Sequence, residues 1–287
     1  MTFRFFLSLL RQAYLKWQKD NAVLLSAALA YYTLFAFAPL LIIATGIAGL
    51  VFGRDTTQAY VEHELQLWLG PAGTSFIASV MEELTNRVSG ALATLIGGAT
   101  LVLAASGLFA QLQRALDFIW HVPTPPRSPI WHVVKKRALT FGMVLLAGFI
   151  LAALLLSNTA VTLIDSYWVN RFPDGGRYLT LRNFAASCLV TIGLIALIYR
   201  LLPDFKIRWR HVWIGASVTG LLLNLGTLGI GKYLGTSSVS SVYGAAGTLV
   251  IILLWVYYAA QIFFFGAELT YVYAVARPVA GDVRPQP

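Results

Sequence analysis

The sequence predicts an all-α, polytopic membrane helical bundle of six transmembrane helices, and two observations predict it. Of the 287 residues, 58% are hydrophobic and 11% charged, where an ordinary soluble domain carries about 25% charged residues. A chain so poor in charge cannot cover its own apolar surface, so lipid must. The apolar residues also fall into runs that can cross a hydrocarbon core of about 30 Å, which takes about 20 helical residues. Residues 1–287 then read as a single integral-membrane unit with spans at 22–53, 89–112, 138–163, 181–202, 211–231 and 243–274.

Residues 1–20 precede the first span and place Phe3, Phe6, Leu7, Leu10, Tyr14 and Trp17 at helical spacing, with Arg4, Arg11, Lys16 and Lys19 largely elsewhere on the wheel. That pattern predicts an interfacial amphipathic helix lying among lipid headgroups. Its apolar run is shorter than the roughly 7–15 residues of a cleavable signal, so the helix is expected to be retained. Segment 22–53 contains Pro39, which removes one intrahelical hydrogen bond and predicts a bend. Residues 54–88 hold two amphipathic stretches around Gly70-Pro71-Ala72-Gly73 and predict a periplasmic helical hairpin. A lid over a substrate path is the alternative use of that hairpin.

Two later spans carry stripes of small or polar residues at helical spacing. These are Ala93, Gly97, Thr100, Ala104, Gly107 and Gln111 in 89–112, and Ala216, Gly220, Asn224, Thr227 and Gly231 in 211–231. Small stripes let helix backbones approach closely in lipid, where packing drives association. Cys188 stands alone in an apolar run, which leaves no disulfide framework and reads as a small packing residue. The Ser/Gly-rich stretch 235–248 is expected to be an ordinary outer loop, with a broken re-entrant segment as the alternative.

The last span, 243–274, contains Gln261 and Glu268. At about 1.5 Å per residue, Glu268 falls near one hydrocarbon boundary and Gln261 about 10 Å inside it, on the same helix face. Charge sets the orientation. With the N-terminus inside, inner segments hold 15 Lys or Arg and outer ones 6, which predicts both termini, including the tail 275–287, in the cytoplasm. Trp17, Trp120, Trp131, Trp209 and Trp213 then form an inner aromatic belt, with Trp68 and Trp168 on the outer side.

The candidate intramembrane polar site is Glu268, Gln261, Asn224 and Gln111, because polar groups at membrane depth mark function by default. The structural alternative pairs Glu268 with an inner Arg200 or Arg114 and bonds the amides between helices, at about 0.6–2 kcal/mol each. Lys135, Lys136, Arg137, Lys206, Arg208 and Arg210 flank spans on the inner side. They are candidate contacts for anionic lipid headgroups, at about 1 kcal/mol each, or simply set topology. The four histidines are scattered, and only Asp117 and His121 share an i, i+4 spacing, which reads as an interfacial contact. Metal-dependent RNA hydrolysis needs converging His and Asp ligands. No catalytic residue, metal, cofactor or nucleic-acid partner is therefore expected. No G-x-x-x-x-G-K-[ST] pattern occurs, which excludes ATP hydrolysis by a P-loop of the chain's own.

Four stretches carry a resemblance: LLSAALAYYTLFAFAPLLII, LQRALDFIWHV, LPDFKIRWRHVWIGA and VYGAAGTLVIILLWVYYAAQIFFFGAEL. In this order the chain resembles the YihY/BrkB family of bacterial inner-membrane proteins, formerly labelled ribonuclease BN-like. The resemblance implies six spans and an inner-membrane location. It also implies a link to virulence, serum resistance or export of lipid precursors of the envelope, and the ribonuclease label is regarded as a misassignment. The expectation is a transporter or flippase-like protein for lipid or another amphiphile, or alternatively a non-transporting scaffold of the envelope.

Overall fold

The computed structural model describes residues 3–53, 62, 74–75, 78–79, 106–122, 142, 175–203, 207–236 and 239–276. Among the described residues there are six long helical segments and no strand: α1 Phe3–Lys19, α2 Ala22–Phe52, α3 at 106–119, α4 Gly175–Leu201, α5 Trp209–Thr236 and α6 Val239–Ala276. The span expected at 138–163, most of that at 89–112, most of the hairpin 54–88 and the tail beyond 276 lie outside them. So do Trp68, Trp131 and Trp168.

The break between α1 and α2 is built by two polar residues. The Asp20 N–H still donates to Lys16 O at 2.8 Å, and the Asn21 N–H reaches back to Gln18 O at 3.2 Å. Asn21 then takes a left-handed backbone, φ 50°, which asparagine tolerates better than most residues. Its carbonyl accepts from the N–H groups of Leu24 and Leu25, and α2 begins. The two helices meet at 67°. α2 continues as helix through Pro39.

α1 meets α6 chiefly through residues outside the stripe expected to lie among lipid headgroups. Leu9 and Ala13 are buried against Leu269 and Val272 of α6, with Phe5 and Leu10 partly buried beside them, while Leu7 and Tyr14 are each 49% exposed. The reason is that the helix has two apolar contacts to satisfy. One face meets α6, and the other, with Leu7, Tyr14 and Leu15, remains for lipid beside the exposed Arg4, Arg11 and Lys19.

α4, α5 and α6 pack around glycine. A Cβ on Gly220 would sit 2.5 Å from Ile192 Cγ1 of α4, so the stripe Ala216, Gly220, Asn224 faces α4. One residue earlier on each turn, Gly215 and Thr219 face α6. A Cβ on Gly215 would collide with Thr270 Oγ1 and Gly266 O, and one on Gly266 with Thr219 Oγ1. Tyr199 closes the junction, its hydroxyl donating to Phe263 O at 2.5 Å and lying 3.1 Å from Thr219 Oγ1. The end of α3 inserts Leu112, Ala115, Leu116, Ile119 and Trp120 into the same core, and α2 packs Ala30 against Ile252 and Val256 of α6.

Three expectations need correcting. Trp120 is 1% exposed and its indole N–H donates to Ala267 O at 3.1 Å, so it is a core anchor and not part of the aromatic belt; Trp209 and Trp213 do stand exposed. The described part of the stretch 235–248 is helical, since α5 runs to Thr236 and α6 starts at Val239. The third is the partner of Glu268, taken up with the site. Ile252–Ala276 is long and apolar enough to cross a bilayer, and the bent α1–α2 pair supplies a second such stretch.

Candidate functional site

The site forms where α1 crosses α6 beside the end of α3. α1 continues its buried series Leu9, Ala13 at the same spacing with Lys16 and Asp20, so a charged pair arrives where an apolar one would be expected. Lys16 Nζ lies 3.2 Å from Asp20 Oδ2 and 3.8 Å from Glu268 Oε2. Lys16 is 23% exposed, Asp20 8% and Glu268 0% by side chain. The ammonium is thus the wet end of the cluster and Glu268 the dry one. Neither Glu268 oxygen has a hydrogen-bond partner among the described residues.

The other walls are aromatic. Lys16 Nζ sits 4.2 Å from the centroid of the Tyr271 ring, a cation–π contact. His121 stacks on the same ring, centroids 5.6 Å apart, and its Nδ1 is 3.5 Å from Lys16 Nζ and 3.0 Å from Ile119 O. His121 reaches this place by ending α3 in a Schellman turn. Its N–H bonds Phe118 O, the N–H of Val122 bonds Asp117 O, and φ is 54°. That position ordinarily takes glycine. Holding a histidine there costs about 1–2 kcal/mol, and it aims an imidazole at the ammonium.

Glu268 therefore pairs with Lys16, not with Arg200 or Arg114. Arg200 donates to Ile207 O, closing the α4–α5 joint, and Arg114 donates to Gln111 Oε1 at 3.0 Å. The remaining candidates do not join the cluster. Asn224 accepts from Ser187 Oγ of α4 at 2.9 Å and donates to Gly220 O. Gln261 is held by its backbone, whose carbonyl accepts from the Trp17 indole at 3.3 Å, so α1 lies alongside the residue expected deep in the bilayer. Arg208 and Arg210 are exposed at the start of α5, whereas Lys135, Lys136, Arg137 and Lys206 lie outside the described residues.

Lys16, Asp20, His121 and Tyr271 are the site residues that sequence reasoning missed. Two signals pointed at them: the i, i+4 pair Lys16 and Asp20 lying in register with Leu9 and Ala13, and the pair Asp117 and His121. Among the described residues no group of three or more His, Cys, Asp or Glu is arranged to hold a metal ion. The ammonium fills the place between the carboxylates, and the arrangement suits charge compensation at the edge of a membrane.

Comparison with known proteins gives this arrangement a family. Residues 13–286 match the model of the family described as Virulence factor BrkB. The chain is 30% identical over 261 residues to a UPF0761 membrane protein of Verminephrobacter eiseniae, covering 89% of this chain and 59% of the relative. It is 28% identical over 256 residues to a UPF0761 membrane protein of Aliivibrio fischeri, covering 88% and 78%. The chain thus spans little more than half the length of the first of these relatives. No solved structure matches it. With a family match running through nearly the whole chain, and with relatives that are membrane proteins by name, the chain is a membrane protein and belongs to the BrkB family.

Proposed function

We propose that the protein is a multi-pass inner-membrane protein of six spans, with both termini cytoplasmic, that moves a lipid or another amphiphile of the envelope without hydrolysing ATP. The observation that carries this reading is the buried charge at the α1–α6 crossing. A carboxylate with no exposure in an apolar helix is expensive and is retained chiefly where a charge must be handled. The exposed Arg208 and Arg210 beside the exposed Trp209 and Trp213 support attraction of anionic headgroups to the same end of the molecule.

A second reading is favoured by a different observation. The α5–α6 crossing is closed by Gly215 and Gly266 in near backbone contact, and Asn224 is bonded between helices, as a dry, non-transporting scaffold would have them. One experiment separates the two. The purified chain is reconstituted in vesicles with a fluorescent phospholipid, and loss of signal to an impermeant quencher is followed with and without a proton gradient. A transporter moves the lipid and Glu268→Gln slows it by about tenfold or more, the scale on which losing about 1.4 kcal/mol acts. Vesicles in which a correctly folded wild type moves no lipid under either condition overturn transport in favour of the scaffold.

A further inference from the structure

The cluster on Lys16 is unbalanced. It holds two carboxylates, Asp20 and Glu268, around one ammonium, which leaves one negative charge in excess in a place from which Glu268 has no access to water. An uncompensated buried charge is costly enough that a group neutralises rather than remain ionised. Among the described residues the cation that faces Glu268 is Lys16. From α1 come Lys16 and Asp20, from the α3 turn His121, and from α6 itself Tyr271. The nearest titratable groups of α4 and α5 are turned elsewhere, Arg200 to Ile207 O and His211 to the ring of Tyr273. The first turns of α2 have no titratable side chain.

His121 stands at the exposed edge of the cluster, and its Nδ1, 3.5 Å from the Lys16 ammonium, lies closer to Ile119 O at 3.0 Å, the carbonyl to which an N–H there donates. Its contacts in the cluster are with Lys16 and the Tyr271 ring. What remains is the carboxyl pair itself. Glu268 has two oxygens with no hydrogen-bond partner, and Asp20, at the wetter edge, is the route by which a proton enters from the α1–α2 turn.

We propose that Asp20 and Glu268, with Lys16 between them, form a proton-binding site in which the two carboxyls take up one proton in all. The proton comes from bulk water and adds to a carboxylate oxygen, taking the cluster from one excess negative charge to neutral. No other bond forms or breaks. Two features suit such a site. Asn21 and His121, the only described non-glycine residues with positive φ, flank it on two segments, and strain that a fold maintains gathers where geometry is being fixed. The two carboxyls also stand on different elements, so the charge state bears on whether α1 stays docked on α6. The docked state binds one more proton than the undocked one, so docking weakens as pH rises through the release of that proton. This inference does not rest on the transport reading.

The test is infrared difference spectroscopy of the full-length protein in lipid nanodiscs. The protonated-carboxyl stretch is followed from about pH 5 to about pH 9, a window lying above the usual carboxyl range. Wild type is expected to show one carboxyl that stays protonated at the lower end of this window and loses its proton within it. Asp20→Asn and Glu268→Gln each leave one carboxylate against Lys16, so each is expected to abolish the band. Lys16→Met removes the cation and is expected to move loss of the band upward by about one pH unit or more. A misfolded variant cannot produce that opposite movement, and gel filtration checks the two amide variants. A wild type with no protonated carboxyl in the window overturns the proposal, as does a band that survives both amide substitutions.

Discussion

Lys16 meets a carboxylate on its own helix, a carboxylate on α6, an imidazole from α3 and an aromatic face at once. Removing it leaves Glu268 buried without a counter-ion, a loss of about 3–5 kcal/mol when one partner of a buried pair is deleted. Trp120→Phe, by contrast, removes one indole hydrogen bond to Ala267 O and keeps most of the ring, worth about 1 kcal/mol. Thermal unfolding in a mild detergent should therefore rank Lys16→Ala well below Trp120→Phe, with Lys16→Arg recovering part of the loss. A Lys16→Ala protein as stable as Trp120→Phe means that the cluster contributes little. Glu268 was legible in the sequence because a lone carboxylate in an apolar run has no cheap explanation. Its partners were not, because they come from three other places in the chain and nothing local to Glu268 names them.

The α5–α6 crossing depends on which atoms a new methyl group would meet. At Gly215 the obstacles include the backbone carbonyl of Gly266, which cannot move without moving α6. At Gly226 the obstacle is the ring of Tyr258, with Cε1 at 2.6 Å, and a side chain on a half-exposed surface can swing aside. Overpacking a closed site costs about 1–3 kcal/mol. Gly215→Ala should therefore lower the unfolding temperature clearly and Gly226→Ala hardly at all, measured side by side; equal effects would show that the crossing is not set by backbone contact. The helical class was legible, and the last span most of all, since apolar length locates a membrane helix whatever it packs against. The stripe Ala216, Gly220, Asn224 was legible as well, being carried by one helix. The pairing of Gly215 and Thr219 with Gly266 and Thr270 was not, because half of it lies on each helix and neither half repeats long enough to stand out. The face of α1 that meets α6 was not legible for a related reason: a helix with lipid on one side and protein on the other has two apolar faces, and periodicity alone does not say which is which.

At the scale of the whole molecule the described residues gather much of their basic charge at one end. Gly215 meets Thr270 and His211 meets Tyr273, so the start of α5 lies beside the end of α6. The short joint after Leu201 brings the end of α4 to the same place, and α1 and the α3 turn dock there through Leu9, Lys16 and Trp120. Arg4, Arg11, Lys16, Lys19, Arg200, Arg208 and Arg210 all belong to these segments. The positive-inside rule compares such clusters across a bilayer, and here one end holds both α1 and the end of α6. The orientation argument from loop counts therefore acquires a geometric form: α1 and Ala276 lie at the same end of the described structure, and the excess of Lys and Arg predicts the cytoplasmic side for it. Single cysteines in a Cys188→Ser background test both statements. Ser8→Cys and Ala276→Cys stand at exposed positions and should resist an impermeant maleimide added to intact spheroplasts, then react together once the membrane is permeabilised. Glu62→Cys, exposed and within the stretch expected on the outer side, should react before permeabilisation. Labelling of Ser8→Cys and Ala276→Cys from opposite sides would contradict the docking of α1 on α6, and labelling of both from outside would reverse the orientation while leaving the fold intact.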